Sequence, residues 1–221
     1  MKQFLKTAPW KRLIYAVWLP VYIAAYFLIE KLVPADGNVV WYTEFAFERL
    51  IPFIPVFIVP YLSWFALIFG TGFNLWYFHE AAFKRYMLLL CLSFYACAAF
   101  WLIVPNGCRL RVYSEGRDVF SAVVRLIQSL DTPTNVFPSE HVIGTLAALF
   151  ALIDCGYAFS HKTHFGIMCV WGALIIVSTV FTKQHALIDI PGGALTACAF
   201  ALLVYRRQIF GKSRHLRTKK R

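Results

Sequence analysis

Six stretches of this chain stay apolar for close to the ~20 residues that a helix needs to cross a hydrocarbon core about 30 Å thick. They cover residues 13 to 33, 53 to 77, 86 to 105, 140 to 157, 165 to 182 and 186 to 205. Lipid offers no partner to a backbone N–H or C=O, and a helix satisfies both within one segment. The expected fold is therefore all-α, a polytopic membrane protein with six transmembrane helices. Composition agrees, since 60% of the 221 residues are hydrophobic and only 15% are charged, too apolar for the surface of a soluble domain of this size. Residues 1–221 read as one integral membrane domain, with a basic cytoplasmic tail from residue 206.

The net charge of +11 raises the question of nucleic acid, but the basic residues gather at the ends, in Lys2, Lys6, Lys11, Arg12 and the tail from Lys212 to Arg221. No soluble domain is left to carry a basic face, so the pattern reads as cytoplasmic flanks with no nucleic-acid partner. An even number of spans puts both termini on one side. That side then holds four Lys and Arg at the N-terminus, two in residues 78–85, one in residues 158–164 and eight in the tail, 15 of the 22. The first span is long and lacks a small-residue cleavage site before Pro34, so it is expected to remain as an anchor. The six cysteines show no CxxC spacing and read as small core residues, Cys108 alone falling in a polar loop.

The longest polar connection, residues 106–139, lies on the outer side. Turn residues mark it at Asn106-Gly107 and at Thr132-Pro133-Thr134-Asn135, and between them Val119 to Leu130 reads as an amphipathic helix on the membrane surface. Three clusters meet at that interface: Asn106 to Arg111, Phe137 to His141, and Ser178 to His185 with Asp189. His185 and Asp189 are spaced i, i+4, so at the head of the sixth span they share a helix face. A carboxylate there can fix one ring nitrogen and leave the other free to attack. Ser139 follows Pro138 and precedes an apolar helix, the pattern of an N-cap with backbone N–H groups facing outward, which suits an anion. His141, an ionisable group at a span end, can reach the same region. Glu140 reads as an acid favouring the helix dipole, without a catalytic role.

Pro138-Ser139-x-His141, followed by His185-x-x-x-Asp189, resembles the type 2 phosphatidic acid phosphatase superfamily, which includes the vanadium haloperoxidases. Asp131 to Ser139 and Ser178 to Asp189 are similar to its membrane branch related to inositol phosphorylceramide and sphingomyelin synthases. The resemblance implies that His185 attacks phosphorus to form a phosphohistidine, that Asp189 orients it, and that His141 protonates the leaving oxygen. It also implies phosphate binding by Ser139 and Arg111, with Arg109 as the alternative arginine, and neither metal nor other cofactor. Two family cations are missing, because Val104 and Thr179 occupy their positions; Lys183 is the nearby candidate to replace one.

The leading expectation is hydrolysis of a phosphate ester on a membrane lipid. Transfer of the phosphoryl or phosphoalcohol group to an alcohol acceptor is the first alternative, since the acceptor alters only the shape of the pocket. A metal- or haem-binding membrane protein using Glu140, His141, His185 and Asp189 is the second.

Overall fold

The structure, a computed structural model, describes residues 9–32, 39–113 and 115–218, with side chains as far as Arg206. A 3₁₀ segment, Trp10–Ala16, leads into α1 (Trp18–Leu32); α2 (Ile58–Phe78) and α3 (Glu80–Ile103) follow. After the connection 106–139, which contains α4 (Val119–Leu130), come α5 (Glu140–Asp154), the short α6 (Tyr157–Ser160), α7 (Lys162–Phe181) and α8 (Asp189–Thr218). Pro20, Pro60 and Pro191 each stand in the first turn of α1, α2 and α8, where a missing N–H costs nothing. The basic tail continues α8 to Thr218; Lys2, Lys6, Pro34 and Lys219 to Arg221 lie outside the described residues.

All six expected spans correspond to helices. Four helical stretches, Trp10–Leu32, Pro55–Phe78, Glu80–Ile103 and Lys162–Phe181, are long and apolar enough to cross a membrane. With 15 residues, α5 measures about 22 Å at 1.5 Å per residue, less than the ~30 Å core. It is instead the hub of the bundle, packed against α2, α3, α7 and α8. Its inward residues are small or branched, Val142, Ile143, Thr145, Ala147, Ala148 and Ala151, and all are buried. Gly144 lets Trp64 and Ile68 of α2 come close, since a Cβ there would sit 2.5 Å from Ile68 Cδ1. On the outside, large apolar side chains such as Phe69, Val170 and Leu195 stand exposed, the surface that lipid accepts and water disfavours.

The connection 106–139 is ordered by backbone pairing that hydropathy does not foretell. β1 (Trp41–Tyr42) pairs in parallel with β2 (Asn106–Gly107), and Gly107 bridges to Thr134. Asn106 is fully buried: its side-chain oxygen accepts from the N–H groups of Val136 (3.1 Å) and Phe137 (2.8 Å), and its amide donates to Val104 O (3.0 Å). Trp101 Nε1 also donates to Phe137 O at 2.8 Å. The turn that delivers Ser139 is thus tied to the end of α3. The expected amphipathic helix is α4, capped by Asp118, whose Oδ1 accepts from Phe120 N and Ser121 N at 3.0 Å. Its Val124 packs on Ile58 and Tyr61 at the head of α2. Cys108 is buried with Leu110, Val136 and Ala186, and burial pushes its thiol up to about 12.

Candidate functional site

Between α7 and α8 the chain turns sharply through Lys183, whose φ of 57° is left-handed. Gln184 N and His185 N both donate to Thr179 O, at 3.0 and 3.1 Å, closing the turn. The fully buried Asp189 receives the loop: its Oδ2 accepts from His185 Nδ1 at 3.2 Å and from Ala186 N at 2.9 Å. The expected pair is formed, but by another route. α8 begins at Asp189 and not at residue 186, so His185 precedes the helix and folds back on a carboxylate held at its N-terminus. Nδ1 donating to a carboxylate leaves Nε2 with its lone pair available.

Glu48, also fully buried, braces this loop from the β1–α2 connection. Its carboxylate accepts from Leu187 N (2.7 Å) and Phe45 N (2.9 Å), and its backbone oxygen accepts from Lys183 Nζ (2.8 Å). Lys183 is therefore directed at Glu48, and it is absent from the lining of the cavity that holds the histidines. Burial lowers its pKa, partly offset by the nearby Glu48. No sequence signal marked Glu48 beyond its being an acid in an apolar setting.

Ser139 precedes α5 as expected of an N-cap, but its hydroxyl makes no cap bond. The Oγ is buried without a partner, while Ser139 N donates to Asp189 O at 3.2 Å. Gly193 permits this approach of α8 to α5, since a Cβ there would lie 2.6 Å from Ser139 O. At the second residue of α5, His141 is clasped between Tyr61 (ring centroids 4.2 Å apart) and Trp64 (4.5 Å) of α2. Its Nε2 is buried and unpartnered, and its ring stands 5.8 Å from that of His185.

Both histidines line one cavity of about 1000 Å³ that runs between α1 and α2 with α3 behind it. From Tyr61 to Trp76 along α2 the cavity wall extends about 22 Å, walled mostly by aromatic and aliphatic side chains. The polar end holds Arg111, Asp131, Asn135, Glu140 and Gln184. Arg111 donates from Nη1 to Asp131 O (2.5 Å) and from Nη2 to Asp131 Oδ2 (2.7 Å), which leaves its buried Nε without a partner. Arg109 lies elsewhere. It pairs with Glu44 at 2.8 Å, covers the Tyr42 ring at 4.0 Å and is 60% exposed, lining a separate pocket of about 250 Å³.

Helix α1 contributes groups that the sequence reading did not single out. Tyr22, Tyr26 and Glu30 are spaced i, i+4, i+8 and so share a face. Tyr22 OH donates to Glu140 and Tyr26 OH to Asp131 (2.8 Å), while Glu30 accepts from Thr132 and from Asn135 Nδ2 (2.5 Å). Polar groups at that spacing inside an apolar span were the available signal. Glu140 is engaged by Tyr22 and Asp189 by His185, and among the described residues no group of three or more His, Cys, Asp or Glu converges to hold a metal ion.

The arrangement provides an oriented imidazole, a second imidazole across a narrow gap, a guanidinium and unpaired polar atoms, all at the polar end of an apolar groove. Those parts suit group transfer on an amphiphile carrying an anionic centre. Compared with models of protein families, with curated proteins and with solved structures, the chain matches none.

Proposed function

We propose that this chain is an integral membrane phosphoric ester hydrolase, a lipid phosphate phosphatase of the type 2 phosphatidic acid phosphatase kind that its motifs resemble. The observation that carries the reading is His185, held by Asp189 at 3.2 Å and facing His141 across 5.8 Å at the polar end of a long apolar cavity. An apolar tail lies in the groove, and the phosphate meets Arg111, Ser139 and the first N–H groups of α5. His185 Nε2 attacks phosphorus, and His141 gives a proton to the leaving oxygen. Water then cleaves the phosphohistidine and frees phosphate.

The same reading includes six spans with both termini cytoplasmic. The end of α3, the start of α5 and the α7–α8 turn then share the opposite interface, so the enzyme works on extracytoplasmic headgroups. Transfer to an alcohol is the second reading. It is favoured by the carboxylates of Asp131 and Glu140 and the unpaired Asn135 Oδ1 in the cavity lining, acceptors matched to a hydroxyl-bearing group. The test is phosphate release by the purified protein from a panel of lipid phosphates, with formation of a new phosphodiester scored in parallel. His185→Ala should abolish turnover without unfolding the protein; a variant keeping a tenth of wild-type activity would refute the nucleophile.

A further inference from the structure

Gln184 immediately precedes the nucleophile of the proposed reaction and is only 2% exposed. Its Nε2 donates to Thr182 O at 3.3 Å, which identifies the other arm of the amide as the oxygen. That Oε1 is buried and accepts no hydrogen bond, although the residue lines the same cavity as His141 and His185. A buried acceptor left unmade costs stability and calls for an explanation. His141 Nε2, another unpartnered buried atom in this lining, is the group that the reaction leaves as a base once it has protonated the leaving oxygen.

We infer that Gln184 is a positioning residue for the second half of the reaction: its Oε1 holds the hydroxyl that opens the phosphohistidine. The inference rests on the phosphohistidine reading above. A hydroxyl nucleophile needs an acceptor that fixes its direction and a base that removes its proton, and an amide oxygen beside a neutral imidazole provides one of each. In the step, the nucleophile's oxygen forms a bond to phosphorus and its proton passes to His141 Nε2. The P–N bond breaks, its electron pair returning to His185 Nε2. Gln184 gives and takes no proton. Asn135 is a poorer candidate, because its amide is drawn to Glu30 and it is not carried on the His185 turn.

The substitution that tests this is Gln184→Met, which keeps the length of the side chain and removes the acceptor. With radiolabelled dodecyl phosphate in detergent micelles and rapid acid-free quenching, the variant should release about one equivalent of dodecanol per enzyme at the wild-type rate. Turnover should then continue about 10- to 100-fold more slowly, the loss expected for one orienting hydrogen bond in the transition state. Label should build up on the protein, and His185→Ala should abolish it. Adding glycerol separates the two sources of the hydroxyl: equal slowing of phosphate and glycerol phosphate formation assigns Gln184 to any hydroxyl, and slowing of phosphate alone assigns it to water. Wild-type steady-state turnover, or loss of the first equivalent together with the later ones in a variant that melts like wild type, would overturn the inference. Gln184→Glu retains an acceptor oxygen and carries the test if the Met variant does not fold. It should turn over without accumulating label beyond the wild-type level, and accumulation would count equally against the role. Failure of the wild-type protein to release phosphate from any lipid phosphate would instead remove the underlying reading.

Discussion

Gly193→Ala perturbs the site without touching any group that would meet substrate. A Cβ at this position would lie 2.6 Å from Ser139 O and 2.8 Å from Val142 Cβ, whereas ordinary contact begins near 3.4 Å. The head of α8 must then retreat from α5 by about 0.8 Å, because a backbone oxygen cannot swing aside. Asp189 sits one turn earlier on the same helix. Its carbonyl receives Ser139 N at 3.2 Å and its carboxylate holds His185 at 3.2 Å, so the retreat pulls the nucleophile away from the serine and from His141. Overpacking of this kind costs about 1–3 kcal/mol, of which Ala in place of helical Gly recovers about 0.5–1. The net loss of stability is about 0–2.5 kcal/mol, no larger than the catalytic effect of about 2.7 kcal/mol, because a misplacement near 1 Å costs about 10²-fold in rate. Phosphate release and thermal inactivation in detergent would be measured beside Gly70→Ala, an exposed position in α2 where the added Cβ meets nothing within 4 Å. The control should keep its activity and lose no stability. Wild-type turnover by Gly193→Ala would refute the claim that this close approach sets the geometry of the site.

His141→Ala should slow hydrolysis of a lipid phosphate by about 10²- to 10⁴-fold and of an aryl phosphate much less, since general acid help matters least for an acidic leaving oxygen. Equal losses on the two substrates would argue against the role. Arg111→Lys should lose most activity, because a single ammonium cannot both hold Asp131 and reach a phosphate, while Arg109→Lys should lose little; kcat/KM on one lipid phosphate compares them directly. For the orientation, Glu115→Cys and His215→Cys in a background lacking Cys108 would be exposed to an impermeant thiol reagent in intact cells. Reaction at 115 alone is expected, and reaction at 215 alone would invert the proposed topology while leaving the chemistry intact.

Much of the helix layout could be read from the sequence because hydropathy and helix length are local properties. So was the association of His185 with Asp189, although for an incomplete reason: i, i+4 spacing predicts a shared helix face, and the observed contact is a turn folding back onto the first residue of α8. Ser139 was placed at the head of α5 by Pro138, but nothing local revealed that its hydroxyl would be left unpaired. Lys183 and Arg109 illustrate what spacing cannot convey. Each lies close in sequence to a site residue, yet Glu48 draws the first inward to the β1–α2 connection and Glu44 draws the second out to the surface. Those partners lie more than sixty residues away in sequence, beyond the reach of any periodic pattern. The two-residue strand pair and the buried Asn106 were hidden for the same reason, being solutions to the hydrogen-bond needs of an outer loop folded on itself.

The balance of charge at the polar end of the cavity bears on what the proposed enzyme can accept. With Val104 and Thr179 where the resembled family carries cations, and with Lys183 committed to Glu48, Arg111 is the one Lys or Arg among the described residues lining the large cavity. Even that guanidinium gives two of its donors to Asp131, whose carboxylate is shared with Tyr26. Negative charge on a substrate is therefore met chiefly by neutral donors, the first N–H groups of α5 and the free hydroxyl of Ser139, and by His141 when it is protonated. Such donors, which stand together at the head of α5, stabilise one phosphoryl centre. They offer nothing to a second phosphate a few ångströms further along the groove, where the carboxylate of Asp131 would repel it. On the proposed reading, a single phosphate ester fits this end of the cavity and a diphosphate does not.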